Sequence, residues 1–169
     1  LVAENNRGWN AFSSVISNQR GKLTVNGGTI EHLGGTDMAY GIDNLTNGKG
    51  TYAETVINGG TVKSTYRAIR QFLNGTEAQN ILTVNGGTIE HLGGTDMAYA
   101  IDNLTNGKGT YAETIINGGT VKSTYRAIRQ FQNGTEAQNI LTVNAGTIEG
   151  ANKSIWMQDA NAKANPGKL

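Results

Sequence analysis

Apolar and polar residues alternate along this chain in short runs, and turn-forming residues separate the runs. Leu23-Thr-Val25, Thr29-Ile-Glu31 and Ala39-Tyr-Gly-Ile-Asp43 each read as a brief strand with one apolar face. Between the strands lie Asn26-Gly-Gly28, Gly34-Gly-Thr-Asp37 and Asn47-Gly-Lys-Gly50, where Gly and Asn accept the positive φ of tight turns. Sustained helical periodicity is absent. Tyr66-Arg-Ala-Ile-Arg-Gln-Phe72 has the length of a helical turn or two, yet its aligned counterpart contains Gly41 and Asp43-Asn44, which suit a helix poorly.

The pattern repeats. Residues 23–81 and 82–140 align without a gap and differ only at Gly41/Ala100, Val56/Ile115 and Leu73/Gln132. A third copy opens at Leu141. Each unit is itself two related halves: Asn-Gly-Gly-Thr stands at 26–29, 58–61, 85–88 and 117–120, and returns as Asn144-Ala-Gly-Thr147. The spacing of this marker runs 32, 27, 32, 27. The five extra residues are expected in the loop between Asp43 and Thr55 and in its copy.

A half-repeat of this length, with three short strands, makes one turn of a solenoid. The expected fold is all-β, a parallel β-helix (β-solenoid) of five to six coils of roughly 27–32 residues. It forms a single domain over 1–169. Residues 1–22 give a partial first coil, 23–81 and 82–140 the two full units, and 141–169 a partial third. No coil buries its apolar side chains alone; stacking creates the core. At ~4.8 Å per coil, five coils stand about 24 Å tall.

The alignment names the core as ladders. Val25, Ile57, Val84, Ile116 and Val143 form one; Ile30, Val62, Ile89, Val121 and Ile148 another; Ile42, Ile69, Ile101, Ile128 and Ile155 a third. Leu45, Phe72, Leu104 and Phe131 are expected as a fourth, at a corner. Asn26, Asn58, Asn85, Asn117 and Asn144 should stack as an amide ladder at a turn. Outward positions alternate in sign from coil to coil: Glu31, Lys63, Glu90, Lys122, Glu149, and Asp43, Arg70, Asp102, Arg129, then Trp156. Tyr40, Arg67, Tyr99, Arg126 and Lys153 alternate aromatic and cation. Stacked like charges would repel, so the unit is two coils long because the second coil neutralises the first.

Composition narrows the function. Charged residues are 16% of the chain and the net charge is +1, without the one-sided basic surplus of a nucleic-acid binder. No apolar run approaches the roughly 18 residues of a membrane span, and no signal peptide is visible. There is no cysteine, which excludes disulfides and thiolate metal sites. No metal or cofactor is expected.

The cadence Leu-Thr-Val-Asn-Gly-Gly-Thr-Ile, followed by a variable loop and Ala-Ile-x-Asn, resembles the Asn-Gly-Gly-Thr repeats of large bacterial surface proteins and adhesins, Gram-positive ones in particular. The resemblance covers about residues 11–169. It implies a pectate-lyase-like right-handed β-helix, secretion, attachment to the cell wall, and extension of a binding region toward host glycan or protein. The chain reads as a piece of a longer protein: Leu169, after Pro166-Gly-Lys168, stands where the next strand would begin. The segment from Trp9 to Val15 is expected to cover part of the first coil, and the chain is expected as a monomer or associated end to end through uncapped coils.

Candidate sites follow from residue type. Lyase or hydrolase chemistry needs paired carboxylates, or a carboxylate with a cation, in one cleft. Asp37, Asp43, Glu54, Arg67 and Arg70 supply those types but recur whole at Asp96, Asp102, Glu113, Arg126 and Arg129, as a surface does and a single catalytic cleft does not. Asp43-Asn-Leu-Thr-Asn-Gly-Lys-Gly50 lacks the oxygen ligands and closing Glu of a calcium loop. His32 and His91 are expected at the surface, in turns. Asn-x-Thr sequons begin at Asn44, Asn74, Asn103 and Asn133, and carry no meaning in a bacterial protein. Aligned threonines at 29, 61, 88, 120 and 147 raise an ice-binding reading, but the companion row Thr24, Val56, Thr83, Ile115, Thr142 is broken and charged ladders lie beside it. The candidate recognition face is the repeated set Tyr40, Tyr66, Arg67 and Arg70 with Tyr99, Tyr125, Arg126 and Arg129, and with Trp156 as a sugar-stacking platform. The expected function is a non-catalytic, stiff adhesin module; a polysaccharide-cleaving β-helix enzyme is the alternative.

Overall fold

The computed structural model describes residues 1–4, 13–34, 38–93 and 97–160. Its strands follow one another in strict rotation among three sheets. The first turn is β1 (Val2–Glu4), β2 (Ser13–Asn18) and β3 (Gly21–Val25), and the second is β4 (Thr29–Leu33), β5 (Ala39–Thr46) and β6 (Tyr52–Ile57). Then come β7 (Thr61–Ser64), β8 (Arg67–Leu73) and β9 (Gln79–Val84), followed by β10 (Thr88–His91), β11 (Tyr99–Thr105) and β12 (Tyr111–Ile116). The last are β13 (Thr120–Ser123), β14 (Arg126–Gln132), β15 (Gln138–Val143), β16 (Thr147–Gly150) and β17 (Lys153–Asp159). Every third strand pairs in parallel, giving a first sheet β1-β4-β7-β10-β13-β16, a second β2-β5-β8-β11-β14-β17 and a third β3-β6-β9-β12-β15. The chain is a right-handed parallel β-helix, the hand that parallel crossovers overwhelmingly take.

Register is that of the sequence alignment. Val25, Ile57, Val84, Ile116 and Val143 pair in turn, as do Ile30, Val62, Ile89, Val121 and Ile148. The isoleucine ladder gains a lower rung at Ile16, paired with Ile42. Apart from the exposed last rungs Val143 and Ile155, these rows converge in one continuous core. Each buried Val or Ile contributes roughly 1.5–3 kcal/mol. The Asn ladder is continuous: Nδ2 of Asn58, Asn85, Asn117 and Asn144 each donates to Oδ1 of the Asn one coil before, at 2.8, 2.8, 2.9 and 2.8 Å. The glycines after it are forced by contact. Gly60 has φ +86°, and a Cβ there would lie 2.5 Å from the Gly28 carbonyl oxygen.

Three expectations change. The five extra residues of the long coils lie between the first and second sheets, not between Asp43 and Thr55. His32 aligns with Ser64 and Tyr40 with Arg67, so the β4–β5 connection is the longer one. From Asp43 to Thr55 the chain runs level with Arg70 to Leu82. Leu45, Phe72, Leu104 and Phe131 do stack, but outside the core, half-buried. The interior position belongs to their neighbours Thr46, Leu73 and Thr105, each 0% exposed. His32 and His91 are not surface residues; they are 0% and 1% exposed. The Trp9–Phe12 part of the proposed end cover, Asp37, Asp96 and the 166–169 segment lie outside the described residues.

Candidate functional site

The Tyr/Arg face is built by a break in strand alternation. In β8, Ala68 and Ile69 both enter the core, and Ala100-Ile101 and Ala127-Ile128 do the same. Two successive inward residues turn Arg67 and Arg70 to the same outer side, where they meet Tyr40 and Asp43 of the coil before. Arg70 donates Nε–H and Nη2–H to the two Asp43 oxygens at 2.7 and 2.7 Å. Arg129 grips Asp102 in the same way, at 2.6 and 3.0 Å. Asp102 also lies 2.9 Å from Nε of Arg67, so one carboxylate sits between two guanidiniums.

Rings close the stack. The Arg70 guanidinium is 4.1 Å from the Tyr40 ring centre and 5.0 Å from that of Phe72; Arg129 repeats this at 4.5 Å from Tyr99 and 5.3 Å from Phe131. The half-buried Phe72 and Phe131 therefore lie against the ion pairs. Arg67 rests 4.4 Å from the Tyr66 ring and donates to its hydroxyl at 3.0 Å. Arg126 lies 4.5 Å from Tyr125 and 4.0 Å from Trp156. Burial opposes the charges of Arg70 and Arg129, but bonding and charge attraction to Asp43 and Asp102 prevail and raise both pKa values. Burial pushes the Tyr40 hydroxyl up to about 12, against the pull of Arg70 and Arg67.

The structure brings all nine residues of the expected recognition face into one stack. Tyr40, Tyr66, Arg67, Arg70, Tyr99 and Arg129 are each at most 6% exposed. Side chains that point outward cover one another from coil to coil. Tyr125, Arg126 and Trp156, at the end of the column, are half-buried. Of the 43–50 segment weighed as a calcium loop, residues 43–46 belong to strand β5, with Asp43 committed to Arg70. Asn44 and Asn103 of the sequons are wholly buried, whereas Asn74 and Asn133 are exposed.

Two inner polar rows were not anticipated. His32, Ser64, His91 and Ser123 alternate along the first sheet. His32 Nε2 is 2.9 Å from Ser13 Oγ, and His91 Nδ1 is 2.9 Å from Ser123 Oγ. Burial pulls the pKa of His91 down to about 4, against an opposing contact with the Thr65 backbone. That of His32 is lowered by the same cause. Between the second and third sheets, Thr55 donates to Asn44 at 2.8 Å, and Gln71 donates to Asn103 and Thr114 at 2.8 and 2.9 Å. Parity was the signal: His32 follows Ile30 by two residues, and Gln71 follows Ile69 by two.

The open faces are those of the first and third sheets. On the first, Lys63 reaches Glu31 at 2.6 Å and Lys122 reaches Glu90 at 2.9 Å. A hollow of about 520 Å³ opens beside the second pair, lined also by Ser123 and Glu149. On the third, Tyr52, Gln79, Tyr111 and Gln138 form one outward column. Glu54, Ile81, Glu113 and Ile140 form the next. The Tyr52 hydroxyl donates to Glu54 at 3.2 Å and that of Tyr111 to Glu113 at 3.0 Å. Tyr52 is 41% exposed and Ile140 38%. The sequence signal for this face was the outward parity of Tyr52-Ala-Glu-Thr-Val56, whose aligned partner Gln79-Asn-Ile-Leu-Thr83 brings no opposite charge. No family model matches the chain, and neither a curated protein nor a solved structure does.

Proposed function

We propose that the chain is a non-catalytic module of a bacterial cell-surface adhesin, a stiff rod displayed outside the cell that presents a repeated face to host glycan or extracellular protein. The observation that carries this reading is the cancellation of charge between successive coils. Asp43 with Arg70, Asp102 with Arg129, Glu31 with Lys63 and Glu90 with Lys122 are all pairs between adjacent coils. Most of the groups that could do chemistry are thereby spent on stacking. A unit whose stacked charges meet opposite charges on the next coil can be duplicated, and length and avidity then grow without new chemistry. The alternative, a polysaccharide-cleaving enzyme, calls for an unpaired acidic constellation at a single location.

The test is surface display. A non-adherent bacterium carrying the rod with one, two or three two-coil units should adhere to matrix- and mucin-coated surfaces increasingly with unit number. Adhesion independent of unit number, or cleavage of polysaccharide by the purified chain, would overturn the reading.

A further inference from the structure

We infer that the outward face of the third sheet binds an extended glycan carrying free amino groups, laid along the rod axis across the coils. This rests on the adhesive reading above and names its partner. On the first sheet the two-coil unit pairs each Lys with a Glu of the adjacent coil, and on the second each Asp meets a guanidinium of the adjacent coil. On the third the unit makes no such pair: Glu54 and Glu113 stack against Ile81 and Ile140. Lys22 pairs with Glu54 at 2.8 Å at the end of the column, while Glu113 meets no cation among the described residues. The face therefore presents a carboxylate to be matched from outside.

The tyrosines say what carries the cation. Tyr52 and Tyr111 stand in one column two coils apart, about 9.6 Å. Each hydroxyl is tied to the Glu two residues on, so each ring leans along its strand, Tyr52 exposed and Tyr111 half-buried. Pyranose rings have an apolar C–H face that stacks on an aromatic ring and a rim of hydroxyls that an amide can bond. In an extended β-linked chain every second ring presents the same face, and the two-coil step matches one disaccharide. Gln79 and Gln138, both exposed, occupy the intervening coils. A protonated amino group on a stacked sugar falls beside Glu113, where a charge-assisted bond is stronger than a neutral one. An extended peptide suits the face less well: residues on its same side recur at ~6.8 Å, out of step with the tyrosines.

The experiment is calorimetric titration of the whole chain, at low salt, with a β-1,4-linked glucosamine hexamer, its fully N-acetylated form, and a lysine-rich peptide. The glucosamine hexamer should bind, and the N-acetylated form at least ten-fold more weakly. Glu113→Gln should weaken binding at least ten-fold, and Tyr52→Ala with Tyr111→Ala should abolish it. Tyr111→Phe, which keeps the ring and guards against a folding artefact, should bind within a few-fold of the parent. Lys122→Gln, on the first sheet, should change nothing. Failure of the glucosamine hexamer to bind, full affinity in Glu113→Gln, or equal binding of the lysine peptide through the same tyrosines would overturn the inference. Displayed rods that still adhere after Tyr52→Ala and Tyr111→Ala would sink this site alone and leave the adhesive reading standing.

Discussion

At the scale of single residues, the two histidines show how a solenoid interior differs from an ordinary apolar core. His91 fills one rung and Ser123 the next, so ring and hydroxyl share the space and a 2.9 Å bond. Burial holds His91 neutral, with its pKa lowered to about 4. Its unfolded value is near 6.5. Between those two values the unfolded chain binds the proton and the folded chain does not. The neutral ring's contribution is therefore complete above about pH 6.5, falls as the pH drops toward 4, and is gone below that. The loss is on the order of 3 kcal/mol. Denaturant unfolding of the parent and of His91→Gln between about pH 4 and 7 checks this: the parent should lose more stability on acidification. Parallel pH profiles would show that His91 is not a buried neutral ring.

At the scale of elements, the second sheet is held on its outer side as well as its inner one. Asp102 lies at 0% exposure with Arg129 bonded to both its oxygens and Arg67 at 2.9 Å. Removing one partner of a buried ion pair leaves the other charge uncompensated, at a cost of about 3–5 kcal/mol. Asp102→Asn, which keeps the shape, should lower stability by that order in chemical denaturation. An exposed control, Glu136→Gln, should change it by less than about 1 kcal/mol. This sheet also marks how far the sequence could be read. The partners of each rung follow from the repeat: Asp43 opposite Arg70, Tyr40 opposite Arg67, Leu45 opposite Phe72. Burial does not follow, because alternation reports which side a residue faces and not what lies on top of it. Tyr40 faces outward and is still 1% exposed, since guanidiniums from the next coil cover it. Most of the recognition face read from Tyr and Arg is for that reason covered by the stack. The open Tyr52 and Tyr111 column passed unnoticed because its polar partners carry no alternating sign. The five-residue insertion was placed on the wrong side of the second-sheet strand from marker spacing; counting from His32 to Tyr40 against Ser64 to Arg67 locates it.

At the scale of the whole molecule, the two-coil unit, not the single coil, is the quantum of the rod. The direct measurement compares two internal deletions by denaturant unfolding. Removing positions 58–116, one whole two-coil unit, joins Ile57 to Asn117 and puts Glu31 against Lys122 and Asp43 against Arg129. Removing only positions 58–84, a single coil, joins Ile57 to Asn85 and puts Glu31 against Glu90 and Asp43 against a buried Asp102. Stacked like charges are destabilising, the more so when buried. The shorter rod should therefore unfold cooperatively with the larger free energy, although it has lost one more coil. If the single-coil deletion proves the more stable, stability follows the number of coils alone, and charge cancellation between coils is not what sets the repeat.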